Sequence, residues 1–172
     1  MRYVPPILAL LALFALLLLL MRWGWGRRAS RQTRAGLPAP APLPERADAS
    51  DDDPDSATGV YVATTLAEQH LERVTAHGLG ARSRVTLARV GSDGADGPAA
   101  WLVERQGAPS FTIPDAEVVA LTTAPGMVGK WIGGDALLVI RWRLGDTLLD
   151  TGVRLDARAD HDRFLDLAKE HA

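Results

Sequence analysis

The side chains able to do chemistry in this chain are few, and their spacing argues against most of them. The four histidines, His70, His77, His161 and His171, include no pair four apart and no His-x-His, and the chain has no cysteine. A metal site within one element needs such a pair or thiolate partners, so neither a metal nor a cofactor is expected. The missing thiols also remove disulfides and cysteine nucleophiles. No serine occupies a Gly-x-Ser-x-Gly elbow. Asp93 and Asp96, in the glycine-rich run 91–97, lack the spacing and terminal glutamate of a calcium loop. That run reads as a hairpin turn. Gly129-Lys130 resembles the end of a phosphate loop. Ala124 stands where the first glycine is required, however, and Trp131 stands where Ser or Thr would hold magnesium. Without a nucleophile, a base and an oxyanion donor in any recognisable arrangement, no catalytic residue is expected and the chain reads as a non-enzyme.

Two constellations remain as candidate binding residues. Arg73, Arg82 and Arg84 precede or begin a strand, and alternation puts Arg82 and Arg84 on one face. Guanidinium forks match phosphate oxygens, so the chemistry offered is recognition of a phosphate group. The competing reading is an ordinary solvent-facing strand, with Val85 and Leu87 turned inward; Glu68 and Glu72 support it. Lys130 and Trp131 lie in a segment, 125–131, that reads as a mobile loop. An exposed indole beside a lysine suits a protein partner, and core packing is the alternative for Trp131.

Charge narrows the partners. Residues 59–172 hold twelve basic and fifteen acidic residues, a net −3. Nucleic-acid binding needs a basic face and is not expected.

The elements that must position these residues begin with an anchor. Val4 to Met21 is an uninterrupted apolar run of eighteen residues, nine of them Leu. As a helix it spans roughly 27 Å, close to the hydrocarbon core of a bilayer. A cleaved signal peptide would have a shorter apolar run and a small-x-small site. Here Arg22-Trp23-Gly24-Trp25-Gly26-Arg27-Arg28 follows instead. Residues 1–28 therefore read as a single transmembrane anchor with a basic, Trp-bearing flank. Arg22, Arg27, Arg28, Arg31 and Arg34 outweigh Arg2, so the N-terminus is expected outside and the rest in the cytoplasm, at the cell membrane. The span carries no ionisable residue and no GxxxG, which leaves it without a proton relay or a strong dimer motif.

Residues 29–58, rich in Pro, Ala, Ser and Asp, read as a disordered linker, with 38–44 locally in polyproline II. Its flexible span is roughly 30 Å. From residue 59 onward, short β-rich runs alternate with turn residues. Strands are expected at 59–66, 82–90, 100–105, 110–113, 117–122, 136–144 and 147–153. In 136–144, Leu138, Ile140, Trp142 and Leu144 should face inward, with Arg141 and Arg143 outward. A helix at 160–171 follows, with Asp160 as N-cap and Phe164, Leu167, Ala168 and His171 on one face.

About seven antiparallel strands followed by one C-terminal helix, in a mainly-β barrel or sandwich, resembles the pleckstrin-homology (PH) superfold. The runs GVYVATTL, ERVTAHGLGARSRVTL, RQGAPSFTIP and LLVIRWRLGDTLLDTGVR resemble an actinobacterial family of small membrane-anchored PH-like proteins. The resemblance covers 59–172. It implies a bacterial membrane protein whose domain binds rather than catalyses, with no established ligand carried over. The function expected is a single-pass scaffold that recruits a protein partner, through a groove beside the C-terminal helix or an exposed strand edge. The alternatives are an anionic-lipid headgroup module, a use to which lipid-binding PH domains put basic residues around their first strands, and an accessory subunit of a membrane transport or export complex.

Overall fold

The computed structural model describes residues 7, 10–21, 23–24, 36–44, 55–67, 69–91, 98–131 and 137–169. Of the expected anchor, residues 7 and 10–21 are helical, and their apolar side chains are exposed. Among the described residues, no helix is long and apolar enough to cross a membrane. Arg22, Trp25 and the remainder of the anchor's basic flank lie outside the described residues.

The domain is an eight-stranded antiparallel sheet curled around one apolar interior. Its strands are β1 (Ser56–Leu66), β2 (Gln69–Arg73), β3 (Ser83–Val90), β4 (Ala100–Arg105), β5 (Phe111–Pro114), β6 (Val118–Ala124), β9 (Leu137–Leu144) and β10 (Thr147–Leu155). The spatial order is β5-β4-β3-β1-β10-β9-β6, with β2 paired to β1. A separate two-stranded hairpin joins β7 (Gly126–Met127) to β8 (Lys130–Trp131). The last element is a helix, Arg158–Lys169.

The expected alternation of β9 holds. Leu138, Ile140, Trp142 and Leu144 line the main core, while Arg143 is exposed and Arg141 turns outward to Asp150. Val85 and Leu87 also face inward. The helix begins two residues earlier than expected, so Asp160 is not its N-cap. It sits in the first turn, where a carboxylate favours the helix dipole, and pairs with Arg163 at 3.2 Å. Phe164 plugs the interior, fully buried and 5.4 Å from the Trp101 ring centre. Burying such a ring contributes about 1.5–3 kcal/mol. Arg163 ties the same helix to the start of β1 by donating to the Ser56 carbonyl at 2.9 Å.

β1 links the two halves of the sheet. Its register against β10 shifts between Tyr61 and Ala63, a bulge that lets both Tyr61 and Thr64 point inward. A buried polar chain results. Tyr61 Oη meets Thr64 Oγ1 at 2.6 Å, Thr64 Oγ1 meets Thr151 Oγ1 at 2.7 Å, and Trp142 Nε1 donates to Thr151 Oγ1 at 2.9 Å. At the corner after β5, Asp115 accepts from Trp101 Nε1 at 2.9 Å and from Arg89 Nη2 at 2.8 Å.

Part of the stretch read as a disordered linker is packed on the domain. Leu37 is buried in the main core, and Ala41 bridges Thr112 of β5. The Thr112 N–H donates to the Ala41 carbonyl at 2.8 Å, and its hydroxyl donates to the Pro42 carbonyl at 3.1 Å. A polyproline segment keeps all its carbonyls free to accept such bonds, and one leucine supplies the apolar plug. Residues 37–44 thus form a strap across the β5 edge. The acidic run 51–53 and the turn at 92–97 lie outside the described residues.

Candidate functional site

Among the described residues of the domain, three regions have the chemistry or exposure to bind something: the loop end of the sheet, the hairpin 126–131, and the β6 edge.

The loop end gathers the β2–β3 connection, the β4–β5 loop and the β9–β10 turn. Sequence reasoning missed its central residue, Arg105. Its guanidinium donates from Nε to Ser83 Oγ at 3.1 Å, and from Nη1 to the Gly78 and Pro109 carbonyls at 3.1 and 3.3 Å. Nη2 donates to the carbonyls of Gly78 and Ala81. The guanidinium carbon lies 4.0 Å from the Tyr61 ring centre. Arg105 is 5% exposed, and burial lowers its pKa. No carboxylate is among these partners; carbonyl dipoles and the ring quadrupole hold the charge. Burial also pushes the Tyr61 phenol up to about 12, against the opposing pull of Arg105. The only sequence signal for Arg105 was a basic residue at an inward register position of β4.

The loops that Arg105 draws together are filled by protein. Val74, Ala76 and Leu79 are buried beneath them, and Leu37 of the strap enters the same core, its carbonyl 3.1 Å from His77 Nε2. Of the expected headgroup residues, Arg84 lies on the outer face of β3 and grips Asp156, with Nη2–Oδ2 at 2.8 Å. That bond is the main reason the Asp156 pKa is lowered. Arg82 is exposed just before the strand. Arg73, at the end of β2, lays its side-chain carbons against Gly80 and acts on the Tyr61 phenol. The three arginines are therefore spread over an exposed position, an ion pair and a half-buried loop contact, with no shared phosphate cradle among the described residues.

The segment 126–131, expected as a mobile loop, is a hairpin lying over the outer face of the sheet. Met127 packs with Val62, Ala63, Leu137 and Val139 in a second small core. Gly152 makes room for it: a Cβ there would meet Met127 Sδ at 2.9 Å and Leu137 Cδ2 at 3.0 Å. The turn residues Val128 and Gly129 have φ of 55° and 70°, the left-handed pair of a two-residue I′ turn. Lys130 and Trp131 form β8 by their backbones, and their side chains lie outside the description.

The two sheet edges differ. At one edge, β5 has only four residues, ends in proline and is covered by the strap. At the other, β6 pairs with β9 alone among the described residues. β6 reads VVALTTA, with no charge and no proline. Val119 is 52% exposed, and Thr122 is exposed too. Val118 and Leu121 of β6, and Leu165 and Leu167 of the C-terminal helix, are partly buried against the core. The helix packs on β6 and β10. An open strand edge beside a helix, with apolar side chains at its base, offers main-chain hydrogen bonds to an added strand.

Among the described residues, no cluster of His, Cys, Asp or Glu could hold a metal ion. The sequence profile of a family described as bacterial PH domain-like matches residues 37–169, a span that starts at the buried Leu37 of the strap. No curated protein and no solved structure matches the sequence.

Proposed function

The chain belongs to the bacterial PH domain-like family, and from that premise we propose that it is a non-enzymatic binding and scaffold module held at the cell membrane by residues 4–21. Its N-terminus lies outside and its domain in the cytoplasm. The domain recruits a protein partner by adding a strand of that partner to β6, beside the C-terminal helix. The observation that carries this reading is the contrast between the two edges: β5 is shielded by the chain's own strap, whereas β6 is long and uncharged and, among the described residues, pairs on its β9 side alone. Proteins normally blunt such an edge with charge, proline or cover.

The headgroup alternative has less support. Arg84 is engaged by Asp156, and the loop end is filled by Leu79, Leu37 and the Arg105 cage. The deciding experiment reads both. A photo-crosslinking residue at Thr122 of the full-length protein in native membranes should trap protein at β6. Floating the full-length protein, reconstituted in neutral vesicles, against anionic vesicles should show no salt-sensitive attachment that depends on Arg82 and Arg84. An absence of any protein adduct at Thr122, together with anionic attachment lost on R82A/R84A, would reverse the choice. Copurification of a multispan protein through β6 would place the chain as an accessory subunit of a transport complex.

A further inference from the structure

Resting on the β6 reading, we infer that the strand added to β6 is the β6 of a second copy, so that two domains join edge to edge about a two-fold axis. Self-pairing across a dyad sets a strand against its own reversed sequence, so a charge at or beside the axis lies near its like. β6 has none from Val118 to Ala124. With the axis at Thr122, Leu121 falls opposite Thr123 and Ala120 opposite Ala124, apolar, small and β-branched pairs that suit a pleated surface. A heterologous partner would ordinarily be selected by complementary charge at the contact, and this edge offers none.

The opposite edge explains why the pairing closes. A sheet with two open edges stacks without limit, because β5 of one copy is free to pair with β6 of the next. Here β5 is short, ends at Pro114 and has Thr112 already bonded to Ala41 and Pro42 of the strap. Between these two ends of the strand order, among the described residues, the β6-to-β6 contact is the one left open, and it is isologous. The bulge between Val118 and Ala120 bends the first residue or two away, leaving the straight portion Ala120–Ala124 to carry the ladder. Membrane anchoring, where it holds, raises the local concentration of copies and favours a contact of this modest length.

The native chain contains no cysteine, which makes the test direct. Single cysteines are placed at Val119, Thr122 and Thr123 of the full-length protein in membranes, with Thr58 on β1 as a control. Mild oxidation should give a disulfide dimer of twice the chain mass at Thr122, on the axis, and none at Thr58. Adding a lysine at Ala120 (A120K), inside the straight portion, should reduce that dimer at least tenfold while circular dichroism stays unchanged. T123K serves as a second blocking variant should A120K fail to fold. No dimer at any β6 position, but a photo-adduct of another mass at Thr122, overturns the second-copy inference and leaves the binding-module reading standing. No adduct of any kind at β6 overturns both.

Discussion

The guanidinium carbon of Arg105 lies 4.0 Å from the ring centre of Tyr61, and this one contact couples the closure of the loop end to the bulge in β1. Arg105 donates to three loop carbonyls, and Tyr61 Oη donates to the Leu79 carbonyl at 2.8 Å. Removing the fork leaves half-buried carbonyls without their donor and uncovers one face of the ring. Arg105→Met should therefore lower the unfolding free energy by about 2–4 kcal/mol. Arg105→Lys should recover only part of it, since an ammonium cannot span the same carbonyls. Urea unfolding of the two variants checks the order; equal stability of Lys and Arg at this position contradicts the fork geometry.

Tyr61 gives the fold an alkaline limit. Its folded pKa, about 12, lies above the ordinary value near 10. The phenol stays neutral when folded while the unfolded chain ionises. The associated stability is complete below pH ~10 and is lost as pH rises toward ~12. Tyr61→Phe removes this dependence, although it also breaks the bonds to Thr64 and the Leu79 carbonyl. Thermal melts across the alkaline range should show a falling midpoint in the native protein and a flatter curve in Y61F. Tyrosinate absorbance should show one of the two tyrosines titrating late. An ordinary titration of both would contradict the burial.

The strap is testable at one amide. The Thr112 N–H bonds to the Ala41 carbonyl, and Leu37 is the apolar contact that seats the segment. Leu37→Ala should cost about 2 kcal/mol or somewhat more and speed hydrogen exchange at Thr112. Exchange at core amides of β10 should change only in proportion to global stability. Unchanged exchange at Thr112 would mean that the strap does not depend on Leu37.

The strap also shows where sequence reasoning stops. The main strands were legible because alternation is a local signal: Leu138, Ile140, Trp142 and Leu144 can bury together in only one way. Residues 37–44 carry no helical or strand period and two isolated leucines, of which Leu37 is buried and Leu43 only half-buried, and whether a polyproline stretch floats or docks depends on an edge strand about 70 residues away. The hairpin at 126–131 was missed for a related reason. Val128 is a poor residue for a left-handed turn, and only tertiary packing of Met127 over Gly152 keeps the turn there. β2 is short, and its polar, charged residues give no apolar alternation. Of the candidate site, Arg82 and Arg84 were visible as an alternating pair. Asp156, which takes Arg84, lies 72 positions away and could not be foreseen.

Val128 makes that hairpin improvable. A β-branched residue at φ 55° is strained, a conformation that costs of order 1–3 kcal/mol and that Asn or Gly adopts readily. Val128→Asn should raise the melting temperature, with a gain of about 1 kcal/mol. The contribution of the Val128 side chain to the second small core opposes the change, so the net sign reports which is larger. A loss of stability would assign Val128 to packing rather than to strain.

Two glycines under the sheet separate soft from hard crowding. At Gly152, an added methyl meets the flexible ends of Met127 and Leu137. Both can turn aside, so Gly152→Ala should lift the hairpin slightly and cost about 1–2 kcal/mol. At Gly59, an added methyl runs into the Arg154 carbonyl oxygen and lies 3.0 Å from the Leu155 Cα, both of them backbone. Gly59 pairs with Leu155 and also with Val85, so the strand cannot shift toward either neighbour without breaking one ladder. Gly59→Ala should therefore cost more than Gly152→Ala and should loosen β1 from β10 at the end where Arg163 reaches the Ser56 carbonyl. Denaturant unfolding ranks the two variants, and hydrogen exchange at Asp156, whose N–H bonds to the Thr58 carbonyl, reads the local opening. A Gly59→Ala variant as stable as Gly152→Ala would mean that the β1–β10 approach is wider than 3.0 Å allows.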